Sequence, residues 1–116
     1  MTFRELFKIS IGEIYHIIPD GSDIIDVVDD LAKSAAEYST KLYVAHLHDN
    51  QNAIKIYEKN LEFLAQAFQN DAMKRKITTN RLALIRCTEI IRVVVKFLIE
   101  GIRSGYITMN TGGGNE

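Results

Sequence analysis

The chain contains no tryptophan, one cysteine and one proline. Each scarcity excludes something. With Cys87 alone, no internal disulfide can staple the fold, so packing must hold it together. A single thiol fits a reducing interior better than secretion. Arg4, Glu5 and Lys8 break up the opening residues before a secretory signal's apolar core could form. The expected location is therefore cytoplasmic. Because Pro19 is the only proline, long helices can run without interruption. Glycine is thin as well: seven residues, three of them at 112–114. No glycine-rich phosphate loop can be assembled from these. The longest apolar stretch still carries five charges between Arg86 and Glu100, too costly for hydrocarbon. No membrane span is expected.

Catalytic patterns are missing too. There is no Glu-x-x-His pair of the di-iron bundles and no EF-hand loop. No helix-turn-helix spacing and no nucleophile–base pair occur either. His46, His48 and Asp49 are close in sequence, but positions i and i+2 of a helix diverge by about 200°. They read as a polar helix end. The acids Asp20, Asp23, Asp26, Asp29 and Asp30 read as helix-start residues facing the positive end of a dipole. Cys87 reads as a buried structural thiol. No metal, cofactor or catalytic residue is assigned, and the expectation is a protein that is not an enzyme.

What the chain does have is helical periodicity. In 116 residues, 47% are hydrophobic and 25% charged, with a net charge of −1. These values fit one globular domain. Isoleucine (16) outnumbers leucine (9), so local helix propensity is modest and tertiary packing must supply the difference.

The stretch Thr78 to Arg103 organises the rest. Leu84, Thr88, Ile91, Val95, Leu98 and Ile102 recur at spacings of four and three, one face of a helix. A second row, Ile85, Ile90, Val94, Phe97 and Ile99, widens that face beyond what one neighbour covers. Arg86, Glu89, Arg92, Lys96, Glu100 and Arg103 form the polar strip. Thr78 or Thr79 is the expected N-cap, and Gly105 the left-handed residue that ends the helix. Tyr106 and Ile107 are expected to fold back on the bundle.

Three further helices are expected. The first runs from Thr2 to Ile18, with Thr2 and Glu5 in capping-box form and Phe3, Phe7, Ile11, Ile14 and Ile18 inward. Residues 7–11 alternate like a strand, and Gly12 weakens the helix, but no partner strand exists. Pro19 ends it, and Asp20-Gly21-Ser22 reads as a turn. The second runs from Asp23 to His46 or His48, capped by Ser22 or Asp23. Ile24, Val28, Leu31, Ala35, Tyr38, Leu42 and Ala45 form its core face. The polar run 49–52 breaks the register. The third helix then spans Asn52 to Met73 on Ile54, Tyr57, Leu61, Leu64 and Phe68. Short turns favour antiparallel neighbours. The expected fold is all-α: an up-down-up-down four-helix bundle with a central C-terminal helix, occupying residues 1–107, and a flexible tail over 108–116.

Two functional expectations follow. Surplus apolar face predicts self-association, with a homodimer the simplest closed solution. Phe3, Phe7, Ile90, Val93 and Phe97 are its candidate contacts. The alternative is nucleic-acid binding through Lys74, Arg75, Lys76, Arg81 and Arg86, thirteen residues that contain no acid. No aromatic side chain interleaves them, so base stacking is not indicated.

Overall fold

A computed structural model describes residues 1–18, 22–77 and 80–109. Among these the chain is all-helical: α1 (Phe3–Ile17), α2 (Ser22–Leu47), α3 (Gln51–Glu62), α4 (Leu64–Lys74) and α5 (Arg81–Ser104). The third expected helix is divided at Phe63, an exposed residue whose backbone N–H reaches the carbonyls of both Lys59 and Leu61. Its dihedrals stay right-handed, so α3 and α4 follow one another as a rod with one irregular joint. Four rods therefore make the fold.

The start of α1 is as the sequence implies. Thr2 Oγ1 accepts from Glu5 N–H at 3.1 Å, and Glu5 Oε1 accepts from Thr2 N–H at 3.0 Å. These bonds satisfy donors that would otherwise be orphaned. They hold the Glu5 carboxyl below its usual range, since the backbone and hydroxyl of Thr2 both donate to the charged form. Residues 7–11 are helical throughout. The turn expected at 19–21 lies outside the described residues, and Ser22 is already inside α2 rather than capping it.

Helix ends show where sequence reading fell short. The cap of α5 is Asn80, not Thr78 or Thr79. Its Oδ1 accepts from Leu82 and Ala83 N–H at 3.1 and 3.2 Å. The helix starts three residues after Thr78 as a result. Gly105 ends it in the left-handed region, at φ 82°, as expected. Two more ends close the same way on residues with a Cβ: Asp49 (φ 50°) after α2 and Lys76 (φ 53°) after α4. In both, the next N–H reaches back five residues: Asn50 to the Ala45 carbonyl at 2.9 Å, and Ile77 to the Ala72 carbonyl at 3.2 Å. That closure ties down carbonyls the helix leaves open. Asn50 then caps α3 by accepting from Ala53 N–H.

The core lies where the four rods meet. Leu84, Thr88, Ile91, Val95, Leu98 and Ile102 are all buried, so the inner row of α5 is the one its spacing marks. Ile24, Leu42, Leu61 and Ile14 fill the centre from the other helices. Both α5 and α2 touch every other helix, so the central place expected for α5 is shared. The core face of α2 is wider than its heptad-like series, because Val27 and Ser39 are buried as well, while Tyr38 is only half-buried. Among buried side-chain polar atoms of the described residues, Ser39 Oγ and His46 Nε2 have no hydrogen-bond partner. Thr88 avoids that cost by donating to the Leu84 carbonyl at 2.9 Å.

Beyond α5 the chain does fold back. Ile107 is fully buried, and its N–H donates to the Gly101 carbonyl at 2.9 Å. A Cβ on Gly101 would sit 2.5 Å from Ile107 Cδ1, so Ile107 packs directly on bare backbone. Next, Thr108 makes an isolated parallel bridge to Thr2. Phe3 N–H donates to the Thr108 carbonyl and Thr108 N–H to the Met1 carbonyl. The segment expected as a tail thus stays paired through Thr108, and residues 110–116 lie outside the described residues.

Candidate functional site: the outer face of α5

Although α5 packs against every other helix, its outward side is not polar. Leu82 is 72% exposed, Val93 66% and Phe97 43%. Ile90 is half-buried beside them. At 100° per residue, Leu82, Ile90, Val93 and Phe97 fall within about 80° of one another around the helix. Tyr106, also exposed, meets Phe97 edge-on with ring centroids 6.0 Å apart, extending the patch past the helix end. Elsewhere, exposed Ile85 lies apart on α5, Ile9, Ile25 and Ile56 sit on other helices and Phe63 at the α3–α4 joint, the ordinary scatter of a globular surface.

Of the five residues expected to mediate self-association, Val93, Phe97 and Ile90 are thus brought together. Phe7 is not available there: it is 6% exposed and its ring fills the core beside Ile14 and Leu31. Phe3 is half-buried, stacked on Phe7 with centroids 4.9 Å apart. Leu82 and Tyr106 belong to the patch but were not singled out. The 4–3 rhythm of the inner row drew attention away from Leu82, which stands at the outermost angle of the helix.

Charges share the sector with the apolar row as well as flanking it. Arg86, Val93 and Glu100 are seven residues apart, so they share one line along α5. Glu100 meets Arg103 at 3.2 Å and Glu89 meets Arg92 at 3.6 Å, all exposed, while Arg86 has no ion-pair partner among the described residues. Exposed pairs of this kind contribute well under about 1 kcal/mol and exchange easily.

The basic segment is dispersed. Arg75 reaches Asp71 at 3.0 Å, Asp30 at 3.7 Å and Asp26 at 3.8 Å, tying the end of α4 to the start of α2. The hydrogen bond and charge of Asp71, with the charges of Asp30 and Asp26, raise the Arg75 pKa. So the acidic run of α2 is answered by the basic run after α4. Lys74 and Lys76 are exposed. Arg81 and Arg86, five residues apart on α5, point about 140° away from each other. The five bases do not converge on one face.

Cys87 is completely buried on α5, and burial pushes its thiol up to about 11, against the weaker pull of Arg86. At pH 8 it therefore stays protonated. Treating the native protein with iodoacetamide at pH 8 should leave Cys87 unmodified over hours, and 6 M guanidinium should expose it to complete labelling. Mass spectrometry reads both states. Rapid native labelling would overturn the buried, protonated assignment.

Among the described residues no cluster of three histidine, cysteine, aspartate or glutamate side chains is placed to hold a metal ion. None of the described helices is long and apolar enough to cross a membrane. No family model, curated protein or solved structure matches the chain.

Proposed function

We propose that this chain is a small, non-enzymatic helical interaction protein, an up-down-up-down bundle that pairs with a second copy of itself through the outer face of α5. The observation that carries this is the row Leu82, Ile90, Val93 and Phe97 left outward on a helix that already contacts all its neighbours. Contiguous apolar surface of this kind marks an interface, and a two-fold pair covers it in both subunits at once.

The charges along α5 favour one register. Place Val93 on the two-fold axis with the two helices antiparallel. Arg86, seven residues before Val93, then faces the partner's Glu100, seven residues after it. Glu89 comes alongside the partner's Lys96, and Ile90 alongside the partner's Phe97. Arg86 and Glu89 thus meet charges of opposite sign, and the apolar residues meet on one side of the axis. A parallel pair would instead stack Arg86 on the partner's Arg86 and Lys96 on the partner's Lys96. The buried thiol fits a reducing, cytoplasmic setting. The nucleic-acid reading is weaker, because Arg75 is held by three aspartates and the other bases diverge.

Multi-angle light scattering at about 100 μM, a concentration where even a weak dimer populates, tests the reading. The expected mass is twice the 13.2 kDa of one chain. A strict monomer at that concentration would sink it.

A further inference from the structure

A second feature includes no described residue of α5. A groove of about 860 Å³ runs between α1 and α2. Its floor is apolar: the stacked Phe3 and Phe7, Ile11, and the small Ala32 and Ala36 of α2. Those alanines are why the groove exists, since larger side chains would fill the gap between the two helices. The volume falls within the range of about 300–1,000 Å³ that small-molecule sites occupy.

The rim has one sign. Arg4 and Lys8 line it from α1 and Lys33 from α2, with no acidic residue among the described lining residues. Lys8 and Lys33 are exposed and have no ion-pair partner among the described residues. Lys41, by contrast, is tied to Glu37 at 3.1 Å. An apolar trough edged by two unanswered ammonium groups suits a ligand with a greasy body and a negative head. Thr2, Thr108 and Met109 line the groove beside the Thr2–Thr108 bridge.

We infer that this groove binds a single-headed anionic amphiphile, a long-chain carboxylate, with its hydrocarbon along Phe7, Ile11 and Ala36 and its carboxylate between Lys8 and Lys33. The charged head would gain charge-assisted hydrogen bonds at the rim, and the hydrocarbon would leave water on the apolar floor. The site is separate from the α5 face, so either can fail without the other.

Calorimetric titration with dodecanoate, kept below its micelle concentration, is the test. The expected result is saturable binding at one site per chain. Lys8→Glu and Lys33→Glu should each weaken it about tenfold, as loss of a charge-assisted contact implies. Ala36→Leu, which fills the trough, should abolish it while leaving the thermal unfolding curve in place. Dodecyltrimethylammonium, with the same chain and the opposite head, should not bind. The surface variant Val93→Glu should bind as the parent does, whatever its oligomeric state. The inference is overturned if dodecanoate shows no saturable binding. It is equally overturned if the lysine and alanine variants bind as tightly as the parent, or if the cationic amphiphile binds as well as the carboxylate.

Discussion

Replacing Gly101 by alanine should destabilise the protein, and the same replacement should stabilise it once Ile107 has been cut back to alanine. In isolation, glycine inside a helix costs about 1 kcal/mol against alanine, so α5 would gain from the change. Ile107 reverses the sign. A Cβ at position 101 would meet Ile107 Cδ1 at 2.5 Å and Cγ1 at 2.6 Å. Ile107 is fully buried, so any retreat of its side chain must displace other core groups. Overpacking of this sort costs about 1–3 kcal/mol, enough to outweigh the helix gain. Ile107→Ala alone should cost about 2–5 kcal/mol, the range for truncating a buried isoleucine. In that background only the Cβ at 107 stays close, 3.3 Å from the added methyl, and most of the propensity gain is recovered. Urea denaturation of the four proteins closes the cycle. If Gly101→Ala were stabilising in both backgrounds, the packing of Ile107 on the Gly101 backbone would be refuted. Against a total stability of about 5–15 kcal/mol, Ile107→Ala is among the most damaging single truncations this fold offers.

At the α5 face, Val93→Glu should weaken dimerisation by about 100- to 1,000-fold, the effect of several kcal/mol of like-charge contact. In the proposed register the two introduced carboxylates meet on the symmetry axis, so one substitution acts twice. Position 93 is 66% exposed, and the monomer should keep its fold, which circular dichroism would verify. A charge cycle tests the register itself. Arg86→Glu alone should weaken the pair and Glu100→Arg alone should do the same. Combined in one chain, the two changes should restore most of the affinity, because each subunit then presents the exchanged partner. A third arm uses Val93→Cys. Two cysteines on the axis can approach within the 4.4–6.8 Å between Cα atoms that a disulfide needs, so mild oxidation should cross-link the dimer. The buried Cys87 does not interfere. Cross-linking at Leu82→Cys in place of Val93→Cys would show a dimer with a different register. A parent protein that dimerises while Val93→Glu leaves it untouched would place the interface elsewhere.

Much of this fold was legible because helices announce themselves by rhythm. The inner row of α5, from Leu84 to Ile102, is buried residue for residue. The Thr2–Glu5 capping box and the Gly105 end are local chemistry, and local chemistry survives folding. Other features had no local sign. Asp49 and Lys76 take left-handed conformations that sequence rules reserve for glycine or asparagine. Both residues are exposed, aspartate tolerates the conformation better than lysine, and the Asn50–Ala45 and Ile77–Ala72 hydrogen bonds close the two ends. At the start of α5 the sign was present but misjudged: asparagine caps helices at least as well as threonine, and Asn80 stood directly after the two threonines. The joint at Phe63 carries neither glycine nor proline, and nothing in the structure explains it.

The site divides along the same line. Val93 and Phe97 could be picked out because they lie off the buried row of α5. The burial of Phe7 was half legible: its spacing with Ile14 and Ile18 marks one face of α1, but spacing does not say whether that face meets the core or a second copy. The union of Arg75 with Asp26 and Asp30 was not legible, since it joins segments distant in sequence. That contact ties one of the three consecutive bases to α2, which no local pattern announces.

The seating of α1 has a consequence for how the protein is made. Phe7 and Ile14 share their surroundings with Ile91 and Val95, and Phe3 is pinned by the Thr108 carbonyl. Those anchors are made roughly 5–20 s behind α1 at ordinary elongation rates. For that interval α1 has α2 to lean on but not α5, so its full seating waits until the last helix has been made.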